Sequence, residues 1–203
     1  RTVGTAFETI WDDGGNYTFL ASAATMNIVS SSTSDTMQVK VDGLDANYNE
    51  ISETLTLNGT TSVSGTTAFL RINSAIILTG SNVGNITISS GGQNYGYIGA
   101  TLGTTQSSVY TVPAGYSLYL TRIDVCSGTN NGQKYLTFRN VVTTSAGRTL
   151  RVAEATFSTS QVSFDRQVPF KIGEKSDFHF EAKSSSSDNE VSIFIEAILV
   201  KDD

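Results

Sequence analysis

A chain of 203 residues and 21.6 kDa is long enough to bury one large or two small hydrophobic cores. Its formal charge of −6 arises from 19 acids against 13 scattered Lys and Arg, which excludes a nucleic-acid surface built on clustered basic residues. Only 16% of the residues are charged, and no apolar run reaches the roughly 20 residues that span a bilayer, so neither nucleic acid nor membrane is an expected partner.

Strand signals dominate from the start. In the first half, residues 5–10, 25–30, 36–41, 51–57, 68–78 and 85–89 carry β-branched and apolar residues between clusters of Gly, Asn, Asp and Ser. The clearest stretch is VKVDGLDANYNEISETLTL, residues 39–57. Val39 and Val41 alternate with Lys40 and Asp42, and Ile51, Leu55 and Leu57 resume the pattern beyond a polar cluster. Alternation buries one strand face, and Asp/Asn clusters accept turn backbones, so a β-hairpin is expected here.

Residues 90–107 are rich in Gly and carry no charge, which reads as a linker or an extended crossover strand. Tyr95, Tyr97 and Ile98 within it are candidate contacts to a neighbouring subunit. Beyond it, strands are expected at residues 108–112, 116–125, 134–142, 149–157, 161–164, 168–172, 177–182 and 191–200. Residues 149–157 also fit one short helix. In the last strand Val191, Ile193, Ile195, Ala197 and Leu199 oppose Ser192, Phe194, Glu196 and Ile198, so apolar groups lie on both faces. That pattern predicts a sandwich interior on one side and an interface on the other.

The expected fold class is all-β, with two tandem antiparallel β-sandwich domains of jelly-roll-like kind. The expected boundaries are an N-terminal sandwich over 1–90, a linker over 91–107 and a C-terminal sandwich over 108–203.

Chemistry is sparse. His179, the lone histidine, sits between Phe178 and Phe180 and reads as a strand-surface residue rather than a catalytic base. One His and one Cys, Cys126, cannot close a zinc site, and Cys126 reads as a small core residue. Asp45, Asn47 and Asn49 space oxygen ligands as a calcium loop opens, but Glu50 and Thr56 stand where that loop needs Gly and a bidentate Glu, so a turn is the expected role. Residues 12–16, DDGGN, read as a turn likewise. The carboxylate pairs Glu50 with Glu53 and Glu154 with Glu181 have nothing to single them out. No catalytic, cofactor or metal residue is assigned. Trp11, Tyr17, Tyr95, Tyr97, Tyr110, Tyr116 and Tyr119 remain as an aromatic inventory for sugar stacking, the basis of an alternative reading as a carbohydrate-binding or adhesion module.

Several segments, in order, carry a resemblance: TVGTAFETIWDDGGNYTF (2–19), GLDANYNEISETLTLNGT (43–60), SVYTVPAGYSLYLT (108–121), PFKIGEKSDFHFEA (169–182) and the closing AILVKDD. Together they resemble virion structural proteins of marine tailed phages, cyanophages among them. The resemblance implies a non-enzymatic virion component, a head decoration or a fibre or spike, without cofactor. It further implies a homo-oligomer, three copies favoured, docked on other virion proteins such as the capsid, with a glycan as an optional ligand. It brings no functional residues with it.

Overall fold

The computed structural model describes residues 1–128, 134–186 and 189–203. Two short strands open the chain, β1 (Thr2–Val3) and β2 (Glu8–Thr9). There follow β3 (Ala24–Ser30), β4 (Gln38–Leu44), β5 (Glu50–Thr56), β6 (Val63–Phe69), β7 (Arg71–Ile77), β8 (Ile86–Ser90) and β9 (Gln93–Ile98). The remainder is β10 (Tyr110–Thr111), β11 (Tyr116–Ser127), β12 (Leu136–Thr143), β13 (Thr149–Phe157), β14 (Gln161–Ile172), β15 (Asp177–Ser184) and β16 (Asn189–Lys201). All pairings are antiparallel, and the described residues contain no helix. The fold is all-β, and residues 149–157 are a strand.

The division into compact units differs from the expected tandem order. One unit is Thr18–Ser107; the other joins Arg1–Tyr17 to Ser108–Asp203. The second unit is thus discontinuous, and the first is inserted into it. Residues 1–17 belong with the C-terminal half because β1 pairs with β16 and β2 pairs with β15. Val3 and Ile10 then enter its core at 1% and 6% exposure. Residues 91–107 are not a free linker either. Gln93–Ile98 pairs with β8, and Thr104 forms a bridge to Ile76.

In the inserted unit, the sheets β6-β3-β8-β9 and β5-β4-β7 share one core of Met26, Ile28, Val39, Val41, Phe69, Ile86 and Ile88. The hairpin expected at residues 39–57 is β4 with β5, in register from Gln38↔Thr56 to Leu44↔Glu50. A shift at Asp42/Gly43 bends β4 against β7. Gly43 is required there: a Cβ would stand 2.1 Å from the Arg71 carbonyl oxygen. Polar side chains hold the loops. Asp35, fully enclosed, accepts bonds from the Ser30 hydroxyl (2.5 Å), the Val83 amide (2.8 Å) and the Gly84 amide (2.9 Å). Asn82 donates to the carbonyls of Gly84 and Gly99, both at 2.8 Å.

The discontinuous unit sets sheet β1-β16-β11-β14 and a second sheet, β10-β15-β12-β13 with β2 on β15, around a common core. Phe138 and Phe180 are its largest enclosed rings, each worth about 2–3 kcal/mol of burial. Phe138 meets Phe164 at 5.4 Å between centroids and Phe157 at 6.3 Å. These contacts bring rings from both sheets together. Phe178, Phe180 and Ala182 point inward, so His179, Glu181 and Lys183 lie on the outer face of β15.

Candidate functional site

The outer face of β15 gathers most of the titratable groups that a catalytic reading would need. Arg139 on β12 stands in register between Glu154 of β13 and Glu181 of β15. Its Nε donates to Glu181 Oε2 at 2.5 Å, and its guanidinium lies 3.8 Å from the Phe7 ring centroid. His179 Nε2 sits 3.2 Å from Glu181 Oε1, and Lys183 Nζ covers the same Phe7 ring at 4.7 Å. Glu154 is 3.8 Å from Arg151. A cation therefore separates Glu154 from Glu181. The arrangement clamps the N-terminal segment onto the sheet, with acid and base neutralised against one another.

The other acids have structural roles as well. Glu53 reaches from β5 to β6, where Oε1 accepts from the Thr66 amide (2.7 Å) and hydroxyl (3.0 Å). Asp45 Oδ1 accepts from the amides of Asn47 (2.7 Å) and Asn49 (2.9 Å), and its Oδ2 from the Asn49 side chain. Those bonds hold the Asp45 carboxyl below its usual range, the Asn49 amide contributing most. They also close the turn in which Tyr48 adopts φ 66°. Residues 12–16 turn through Gly14 and Gly15, whose carbonyls accept from Trp11 Nε1 at 3.0 and 3.3 Å. Among the described residues, no group of three or more His, Cys, Asp or Glu is placed to hold a metal.

The aromatic inventory disperses. Trp11 is 3% exposed and packs edge-on against Tyr17 at 5.1 Å. Tyr110 meets Phe178, while Tyr116 leans on the core and Tyr119 lies under Lys171 Nζ. Of the three candidate subunit contacts, Ile98 must be withdrawn: it is fully enclosed in the core of the inserted unit, where β9 points it inward. Tyr95 and Tyr97 are half-buried on that strand, Tyr95 against the core.

Two surface features remain. An open depression of about 410 Å³ is lined by Thr5, Tyr135, Thr137, Thr156, Lys183, Ser184 and Ser185. Tyr135 is half exposed there, and Thr137 and Thr156 hydroxyls bond each other at 2.9 Å. The second feature is β16. Its inward residues Ile193, Ile195 and Leu199 pack on the core, whereas Phe194, Ile198 and Val200 stand bare on the outer face at 58%, 57% and 43% exposure. Beside them, Arg122 is ringed by Asp124 (2.9 Å), Asp165 (3.8 Å) and, across the register, Glu196. The Ser163 and Arg122 bonds keep the Asp124 carboxyl below its usual range.

No protein-family model, curated protein or solved structure matches the chain.

The chain's own geometry supplies the candidate site, the outer face and edge of β16, where three exposed apolar side chains, Phe194, Ile198 and Val200, stand on one strand. Apolar residues on both faces of residues 191–200 signalled it in the sequence. That β16 is covered on its outer side only by the two-residue β1, and only at its start, did not show there, because pairing partners far apart in the chain leave no local pattern.

Proposed function

We propose that the protein is a non-enzymatic structural component of the virion of a tailed bacteriophage, exposed on the head as a decoration or carried in a fibre or spike. The observation that carries this reading is the order of the resembling segments at 2–19, 43–60, 108–121 and 169–182, which spans both compact units. The structure is compatible with it in a specific way. Glu53, Asp45, Glu181 and His179, the side chains that chemistry would recruit, are bound into turns, edges and clamps. What the molecule offers outward is sheet surface. Within this reading, each unit is a jelly-roll-like sandwich, the one over Thr18–Ser107 inserted in the other, and copies associate with one another and with the capsid. Mass spectrometry of density-gradient particles tests it. The chain is expected at a copy number comparable with other minor structural proteins; its confinement to the soluble lysate would overturn the assignment.

A second reading, a carbohydrate-binding or adhesion module, rests on the depression beside Tyr135, where a half-exposed ring meets Thr hydroxyls and Lys183. A virion surface protein accommodates that role too. Glycan-array binding that Y135A abolishes would support it, and an array without a hit would remove it.

A further inference from the structure

We propose that β16 pairs antiparallel with β16 of a second copy of this chain, across a two-fold axis at Ala197. On its outer side β16 is bonded only at its start. Asn189 and Glu190 meet β1, and Val191 exchanges bonds with the Arg1 amine and carbonyl. From residue 192 to residue 201, no described strand lies on that side. About 33 Å of extended backbone is therefore offered as a template.

The same sheet treats its two edges differently. On β14, Arg166, Gln167, Val168 and Pro169 stand out of register opposite Thr121. A bulge, a proline and charged side chains are the devices that keep an edge from pairing. The β16 edge, SIFIEAILVK, has no Pro, no Gly and one acid before its final lysine. Cover is also missing on both of its faces. Phe194 and Ile198 are bare outside, and on the inner face Ala197 is exposed while Ile195 and Leu199 are half-buried. One adjacent strand would cover both sets.

The occupant follows from register. A two-fold normal to the sheet keeps each face on its own side, so its axis must pass through a residue. At Ile195, the second copy's Leu199 falls opposite Val191, where Arg1 already sits. At Glu196, two carboxylates face each other. At Ile198, Phe194 faces Asp202 and Ile195 faces Lys201. Ala197 gives the fullest apolar pairing, Phe194 with Val200 and Ile195 with Leu199, each twice across the axis and with no like charges opposed; Glu196 then faces Ile198 and Ile193 faces Lys201. The edge is most self-complementary in that register, and a dyad of this kind makes an isologous dimer. For this surface it puts a twofold in place of the threefold that the resemblance implies. The proposal shares with the virion reading only the claim that copies associate, so particle content tests the one and the following test the other.

A cysteine at the axis tests register directly. In a C126S background, A197C places two sulfurs within bridging reach across the dyad, and mild oxidation is expected to give a covalent dimer. I193C, which would face Lys201, is expected to stay uncrosslinked. In parallel, light scattering on the purified chain is expected to give the mass of two chains. F194K/V200K opposes lysines twice across the axis and should weaken the dimer about tenfold or more, while F194K/V200E places opposite charges and should retain it. Ala197, Phe194 and Val200 are exposed, whereas the control position Ile193 packs on the core, and the cysteine result stands even if a charged variant misfolds. A mass of one chain at every concentration, or three chains without an A197C bridge, would overturn the proposal. So would equal association of the two charge variants.

Discussion

Arg139 faces Glu154 on one neighbouring strand and Glu181 on the other, and its guanidinium binds Glu181 at 2.5 Å. With Phe7 at 3.8 Å above it, this pair fixes the N-terminal segment to a sheet made by residues more than 100 positions later. R139A leaves the Glu181 carboxylate half-buried without its main cation and should cost about 2 kcal/mol. R139K, which lacks the planar fork, should recover only part of it. Urea unfolding checks the magnitude, and amide exchange over residues 7–10 should accelerate first.

Asp35 should act as an acid-sensitive latch of the inserted unit. Burial opposes its charge, but the bonds from Ser30, Val83 and Gly84 prevail and hold its carboxyl below the ordinary 3.8. A depressed folded-state pKa contributes stability that is fully present above about pH 4 and is lost as pH falls through the folded value. D35A should cost about 3 kcal/mol at neutral pH, because two buried amides and a hydroxyl lose their acceptor. The gap between wild type and D35N should narrow only below about pH 4. Denaturant midpoints measured between neutral pH and the acid range check both statements.

Gly43 and Gly173 should respond oppositely to the same change. At Gly43 a Cβ meets the Arg71 carbonyl at 2.1 Å and the Phe69 ring at 2.8 Å, so G43A must break the bulge or move β7. A loss of about 3 kcal/mol is expected. Nothing lies within 4 Å of a Cβ at Gly173, and its backbone is outside the left-handed region, so G173A should stay within about 0.5 kcal/mol of wild type. Thermal melts of the two variants side by side provide the comparison.

The discontinuous unit should fold without the insertion. Tyr17 and Ser108, where the insertion leaves and returns, bond to the adjacent residues Thr9 and Ile10, so a short Gly-Ser linker can join them. A chain lacking residues 18–107 should keep cooperative unfolding. A fragment of 108–203 alone should not. It lacks Val3, Ile10 and Trp11, whose burial contributes about 5 kcal/mol, comparable with the net stability of a domain. Near-ultraviolet circular dichroism and thermal unfolding of the two pieces distinguish them.

Much of the local structure was legible in the sequence. Residues 149–157 form a strand with the expected bounds, and the hairpin at 39–57 has the expected turn. Alternating burial imposes a period of two that survives any tertiary context. Two strands escaped entirely, Thr2–Val3 and Val63–Phe69, and Gln93–Ile98 read equally well as linker. Val63–Phe69 hides among Ser, Gly and Thr that resemble a turn, because its Gly65 makes room for the Glu53 carboxylate rather than a bend. Gln93–Ile98 hides in a Gly-rich run whose Gly96 packs under Ile88. The domain boundary escaped for a different reason. Val3 lies against β16 only through pairing across almost the whole chain, and no window of sequence records that. Ile98 misled because an apolar residue among glycines looks exposed until β8 is placed beside it.

If the protein is an outward-facing part of a phage particle, as proposed, immunogold electron microscopy will find it there. An antibody raised against the purified protein is applied to intact, unstained particles. Regular labelling at a fixed location, on the head or along an appendage, is expected. Particles that carry no gold, while the protein is abundant in the lysate around them, would contradict it.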